Sequence, residues 1–404
     1  MYLSVLNDSG KVTKHPISKD KFVDERLHGH VGYIGTQSKE SNALNLLKAY
    51  YSESKAILLD ETNKVIVEQL QALNVPEFSQ KSQEKTIFDN KDFFLMYYTS
   101  GTTGIPVGAL KSKKNIELEV DTLTKVLEPF NIKKVIVTVP FIHLYGTLFG
   151  LFYPLLNGID ILFKEHFLPH DLLDLIDPYT MVVTTPLYIK ALNKIEEGKN
   201  LSQSLFISST APLDDSNIEQ FNIKYNTDIM QIFGSTETGG IAYKVNKGAL
   251  WKPFDGVNLS VNSKEELSVS SPFISSTLYK EKFIQTNGKI QTFDYVTLEQ
   301  SGFNLLGRSS KIFKLAGKRY STVQIENILE SIEGIEKALI FVELAKDSLR
   351  GEYIDITLES KEIFSAKEIK KILQDNLSNL KFSIQLTIVD KILVNQIGKK
   401  LRIK

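Results

Sequence analysis

The run Tyr97-Tyr98-Thr99-Ser100-Gly101-Thr102-Thr103-Gly104-Ile105-Pro106-Val107-Gly108 has the residue types needed to hold an anion. Glycines let backbone N–H groups approach phosphate oxygens closely, and Ser and Thr hydroxyls add donors. The run lacks the spacing and terminal Lys-Ser/Thr of the common P-loop, so the usual NTPase and kinase chemistry does not fit it. A second group, Gly234-Ser235-Thr236-Glu237, places hydroxyls and a carboxylate at the end of another apolar stretch.

Five apolar, β-rich stretches share this habit. Residues 93–98 end in Thr-Ser-Gly, 135–139 in Pro140, 181–183 in Thr-Thr-Pro, 205–207 in Ser-Ser-Thr, and 229–233 in Gly-Ser-Thr-Glu. Continuous apolar strands suit a sheet covered on both faces. Helical patterns lie between them, as with Ile116, Val120, Leu123 and Leu127 on one face. Ligands of such α/β sheets bind beyond the carboxyl ends of the strands. Ser and Thr are also ordinary loop residues; agreement among several strands favours a site. Past Arg308 the pattern changes to a small α+β unit. It has a helix over 322–331, strands over 338–344 and 353–358, a helix opened by the Ser365/Glu368 capping box, and a strand near 384–389. The expected fold is α/β: a large N-terminal domain of sheets flanked by helices, residues 1–308, and a small α+β C-terminal domain, residues 309–404.

Composition narrows the function. The 404 residues carry 48 basic and 48 acidic side chains, which gives no electrostatic reason to expect nucleic acid or an anionic membrane as partner. Cysteine is absent, which excludes disulfides, thiolate metal sites and a Cys nucleophile. The start of the chain has no signal pattern, and the most apolar window, 148–163, is broken by Pro154, Asn157, Gly158 and Asp160. A cytoplasmic protein without a membrane span is the expectation. His28 and His30 stand two apart with no further ligand, and no metal site is expected there.

Taken together, these blocks resemble the adenylate-forming (AMP-binding) superfamily of acyl-CoA synthetases, luciferases and peptide-synthetase adenylation domains. The first run looks like its Tyr-Thr-Ser-Gly-Thr-Thr-Gly-x-Pro-Lys-Gly signature, and Phe233 to Glu237 resembles its Tyr-Gly-x-Thr-Glu block. Ser208-Ser209-Thr210-Ala211-Pro212-Leu213 resembles Ser-Gly-Gly-Ala-Pro-Leu, and Thr292-Phe293-Asp294 takes the place of Thr-Gly-Asp. Gly307-Arg308, Lys314, Gly317, Arg319 and Glu326 resemble the hinge-and-hairpin block, and Gly398-Lys399 the final Gly-Lys motif. The matches follow the family order from Tyr97 to Lys399.

The resemblance implies an AMP-forming acid–thiol ligase using ATP and Mg²⁺. A small carboxylic acid becomes acyl-AMP and then passes to a pantetheine thiol of CoA or of an acyl carrier protein. Lys399 would bridge the carboxylate and the α-phosphate; at ~4 Å and an effective dielectric of ~20, one such contact has a Coulomb energy of about 4 kcal/mol. Lys399 also sits in a basic tail with Lys400, Arg402 and Lys404. Glu237 would hold Mg²⁺ and Thr236 would donate to the α-phosphate. Thr99, Ser100, Gly101, Thr102, Thr103 and Gly104 would wrap phosphates. Ser209, Thr210, Ala211, Phe233 and Gly234 would line the nucleotide, with Phe233 stacking on adenine; a plain core role fits Phe233 equally. Asp294 would accept from the ribose with support from Arg308, the alternative for each being a surface charge. Gly317 would let pantetheine pass. His143, in Pro-x-x-His-x-x-Gly, would border the acyl pocket. Apolar Phe141, Ile142 and Leu144 there leave a substrate ammonium without a carboxylate partner, so an acid lacking an α-amino group, aryl or aliphatic, is expected.

Departures are plain. Val107 stands where the family has a phosphate-binding lysine, with Lys111, Lys113 and Lys114 as candidate substitutes. Ser310 takes the hinge position, and only about 96 residues precede the phosphate run. The shortened start leaves room for a shallower acyl pocket or a partner protein. These changes also fit a second class, a degenerate non-catalytic nucleotide- or acyl-binding member.

Overall fold

A computed structural model describes residues 1–35, 38–80, 85–99, 106–246, 248–263, 265–308, 312–315, 318–344, 352–377, 383–394 and 400–401. The chain divides into two compact units: residues 1–260 with 268–290, and residues 261–267 with 291–404. This division falls earlier than the expected 308/309 boundary. In the second unit Gln291 and Thr292 both bond the carbonyl of Leu267, and the strand that contains them, Lys289–Glu299, pairs antiparallel with Gly302–Arg308. Long-range pairing of this kind leaves no mark in local composition.

The first unit holds two sheets. The larger has nine strands, in the spatial order Lys252–Pro253, Gly239–Val245, Asp228–Ser235, Leu205–Ser208, Thr180–Thr184, Lys134–Val137, Asp160–Lys164, Tyr2–Leu6 and Val12–Pro16. Its centre, from Asp228–Ser235 to Tyr2–Leu6, is parallel. Val135, Val137, Met181, Val183, Leu205 and Ile207 enter one apolar cluster; Ile136, Val182 and Phe206 enter another on the opposite face. Both faces are therefore covered, as the continuous apolar strands predict.

The six-stranded sheet has the order Lys282–Gln285, Thr277–Lys280, Val107–Lys111, Leu95–Thr99, Lys55–Leu58 and Val31–Ile34. The strand leading into the phosphate run belongs here and not with the other four, because periodicity marks a strand without naming its neighbour. Helices Lys39–Tyr51 and Lys113–Leu127 pack between the two sheets and share one cluster with both. Helix Lys113–Leu127 starts at a Ser112/Asn115 capping box and buries Ile116, Val120, Leu123 and Leu127, the expected stripe.

In the second unit, Ile335–Leu344 pairs antiparallel with Glu352–Ser360, which pairs parallel with Ser383–Val389. Helices Thr322–Glu330 and Ala366–Asn376 pack on this sheet, the latter opened by the expected Ser365/Glu368 box. Lys400 is firmly held. Its ammonium donates to Glu326 Oε2 (3.0 Å), to the Ala338 carbonyl (2.6 Å) and to Glu330. Val394 and Lys400 form a bridge, and Leu401 N–H donates to the Leu393 carbonyl, so the chain is tied on both sides of residues 395–399.

Removing one partner of a largely buried ion pair leaves the others uncompensated. Lys400→Met should destabilise the second unit by about 2 kcal/mol. Amide exchange should then lose protection in helix Thr322–Glu330 with the first unit unchanged. Equal loss in both units, or none, would contradict the assignment.

Candidate active site

The four strands Lys134–Val137, Thr180–Thr184, Leu205–Ser208 and Asp228–Ser235 end side by side, and the segments after them carry the predicted residues. Tyr145 ties two of these ends together: its buried hydroxyl lies 3.0 Å from the Thr184 carbonyl and 2.7 Å from that of Ile207. It anchors the segment bearing His143. Phe141, Ile142 and Leu144 are buried, while His143 is partly buried ahead of the short helix Leu144–Thr147. Burial holds the imidazole below its ordinary range, with the charge of Asp60 pulling the other way. Asp60 was not anticipated from the motifs; its carboxylate also accepts from the Thr62 N–H and hydroxyl.

After Leu205–Ser208 the chain turns sharply. Ser209 Oγ donates to the Ile232 carbonyl at 2.9 Å, and Thr210 takes φ +81°. A β-branched residue there is strained, which is why the family pattern has glycine at this position. Ala211 follows it, exposed. The loop is thereby bonded to the strand that carries Phe233.

Phe233 is half-buried. Its ring lies 5.6 Å from that of Trp251, tilted by 53°, and the Lys244 ammonium sits 5.1 Å from the Trp251 ring centre. Gly234 is exposed, and a Cβ there would lie 2.3 Å from the Gly239 carbonyl oxygen, so no larger residue fits this bend. Thr236 and Glu237 then occupy a turn, partly exposed. The turn is pinned by Ser235 N–H on Thr238 Oγ1 (3.0 Å) and Thr238 N–H on Ser235 Oγ (3.2 Å). Thr238 itself is fully buried. An aromatic face, a hydroxyl and a carboxylate thus lie in sequence along one strand end, a donor set that fits a nucleotide with its divalent ion.

Strands Leu95–Thr99 and Val107–Lys111 form an antiparallel hairpin, Thr99 opposite Val107, with the phosphate run as its connection. Ser100, Gly101, Thr102, Thr103 and Gly104 lie outside the described residues, as do Gly317, Ser310 and Lys399. Lys111 is not a substitute for the missing loop lysine: it is fully buried and donates to the carbonyls of Phe273 and Glu237. The Lys113 ammonium lies 4.1 Å from the Tyr50 ring centre. In the second unit Asp294 is 4% exposed and pairs in register with Arg308, so it is not a surface charge. Its N–H donates to Thr292 Oγ1 at 3.1 Å, while Phe293 is exposed. No group of three or more metal-binding side chains occurs among the described residues, nor any helix long and apolar enough to cross a membrane.

The family described as AMP-binding enzyme matches residues 32–266. A probable CoA ligase, CCL5, of Humulus lupulus is 28% identical over 289 residues, covering 62% of this chain and 52% of that protein. The 2-succinylbenzoate–CoA ligase of Oceanobacillus iheyensis is 25% identical over 318 residues, covering 71% and 65%. The chain therefore spans about half to two-thirds of such relatives. Among solved structures, the O-succinylbenzoate CoA synthetase of Bacillus subtilis in complex with ATP and magnesium ion gives a TM-score of 0.81 at 18% identity, covering 98% of this chain and 95% of that one. ATP-bound MatB of Rhodopseudomonas palustris gives 0.80 at 17%, covering 98% and 94%. At these identities the structures show a shared fold.

Trp251 is the only tryptophan and touches the Phe233 ring. AMP stacked on Phe233 should change its emission saturably. Phe233→Ala should weaken that binding by about 1–3 kcal/mol, the scale of one base–aromatic stack. Calorimetric AMP binding with no change in emission would contradict the placement.

Proposed function

This chain belongs to the AMP-binding enzyme family, and we propose that it is an AMP-forming acid–thiol ligase. It activates a carboxylic acid with ATP and passes the acyl group to a pantetheine thiol of CoA or of a carrier protein. The observation that carries this reading is the strand end Asp228–Ser235 with its turn: a half-buried aromatic ring, then Thr236 and Glu237 held by a locked backbone.

In the first step a carboxylate oxygen bonds to the α-phosphorus, and the bond to pyrophosphate breaks. In the second, the thiol sulfur bonds to the carbonyl carbon, AMP leaves with the former carboxylate oxygen, and the thiol proton goes to solvent. No protein nucleophile is required, so positioning and charge stabilisation are the tools. Phe233 stacks the adenine, Thr236 donates to the α-phosphate, and Asp294 with Arg308 holds the ribose. Glu237 would hold Mg²⁺, which is usually bound through one or two carboxylates plus phosphate oxygens and which offsets phosphate charge when present. Lys399 delivers the cation between the two anions, and Gly317 lines the pantetheine path. The part that moves begins at residue 309, and Lys400 supports Lys399 by fixing the chain beside it.

The segment around His143 supports the substrate class. It is apolar, and burial lowers the affinity of its imidazole for a proton, which suits an uncharged acyl group. One observation favours the non-catalytic alternative: with Val107 in the loop and Lys111 bonded to two carbonyls, the family's phosphate lysine has no replacement from Lys111.

ATP–pyrophosphate exchange across benzoate-like, cinnamate-like, fatty and α-amino acids decides among these. Exchange is expected with at least one acid lacking an amino group, at a high KM for ATP. Lys399→Ala should cut it by about a hundredfold or more. No exchange with any acid would favour the binding protein. Exchange restricted to α-amino acids would assign Asp60 to the ammonium and overturn the substrate class.

A further inference from the structure

Two charged groups of the first unit are buried beneath the Thr236–Glu237 turn and belong to none of the motifs. Lys111 ends the strand Val107–Lys111 with 0% exposure. Its ammonium donates to the carbonyl of Phe273 at 2.5 Å and to that of Glu237 at 3.4 Å. The Glu237 carbonyl also accepts from Ser275 N–H at 2.9 Å. Glu119 lies on the apolar stripe of helix Lys113–Leu127 with 2% exposure, and its Oε1 accepts from Gly240 N–H at 2.6 Å. Gly239, at φ +76°, lets the carboxylate approach: a Cβ there would lie 2.8 Å from Oε2, and one on Gly240 would lie 3.1 Å from Oε1.

Burying an ammonium and a carboxylate is costly, and apolar side chains of similar volume often stabilise as well or better. Here each charge contacts backbone in the second half of the same turn or just after it. The ammonium takes the carbonyl of Glu237 within the turn, and the carboxylate takes the N–H of Gly240, three residues on and just past it. Burial acts against each charge, lowering the lysine to about 8 and raising the glutamate, and their mutual attraction opposes both shifts. The arrangement is poor as a source of stability and good as a clamp.

We propose that Lys111 and Glu119 are positioning residues that hold the Thr236–Glu237 turn by its backbone, fixing where the hydroxyl and the carboxylate point. The catalytic consequence rests on the acid-activating reading above; the positional claim does not. Neither residue touches substrate. A rigid turn fixes the metal-binding carboxylate in advance, so that its ordering is not charged against nucleotide binding.

The test uses the full-length chain and the double variant Lys111→Met/Glu119→Leu, which removes both charges at similar volume. Melting should stay within a few degrees of the parent. Amide exchange in peptides spanning residues 234–240 should quicken at least tenfold. Calorimetric binding of Mg²⁺–ATP should weaken at least tenfold, while AMP without metal binds within about twofold. Unchanged exchange at 234–240 in the folded double variant would overturn the proposal. If the double variant does not fold, Glu119→Gln and Glu119→Leu decide. Gln keeps an oxygen for Gly240 N–H and should preserve protection, whereas Leu should lose it; equal protection in the two would overturn the clamp. A parent chain that binds no Mg²⁺–ATP would defeat the functional reading, and the exchange result would still decide the positional one.

Discussion

A single buried ammonium joins three stretches of the first unit that are far apart in sequence: the strand after the phosphate run, the turn bearing Thr236 and Glu237, and the carbonyl of Phe273. Such a charge persists in an apolar interior only where its hydrogen bonds are made. The strand Val107–Lys111 is itself the second arm of the phosphate hairpin. The two strands that flank the phosphate run and the turn expected to hold the metal therefore belong to one bonded frame. Glu119, from the helix between the two sheets, completes it at Gly240.

Around that frame the strand ends do the remaining positioning. Tyr145 links the His143 segment to two of them, and Ser209 links the loop of Thr210 and Ala211 to the strand of Phe233. The chain departs from its family's pattern in ways that carry local cost. Thr210 occupies a left-handed conformation that glycine would adopt without strain. Phe233 lacks the phenolic hydroxyl of the family's tyrosine and instead packs against Trp251.

Much of this was legible in the sequence because it is local. Apolar runs mark the parallel strands, the stripe from Ile116 to Leu127 marks the helix between the sheets, and Ser365 with Glu368 marks a capped start. Pairing was not legible. Nothing in residues 93–98 says that their strand joins a different sheet from the other four, and nothing near residue 261 says that it groups with residue 291. Side-chain environment was legible only in part. The motif marks Asp294 as a ribose acceptor but does not say that it is buried; Lys400 reads as part of a basic tail and is bonded to Glu326 and Glu330. A signal for Glu119 was present, since a carboxylate falls on an otherwise apolar helix face. Lys111 gave a weaker one, as a charge closing a buried strand.

The central claim is that this chain joins a carboxylate oxygen to the α-phosphorus of ATP. Isotope transfer tests it most directly. The acid is supplied with oxygen-18 in its carboxylate, together with ATP, Mg²⁺ and a pantetheine thiol, and the nucleotide product is weighed by mass spectrometry. The account predicts AMP carrying one labelled oxygen, formed in step with thioester. Unlabelled AMP, or ADP in its place, would contradict it.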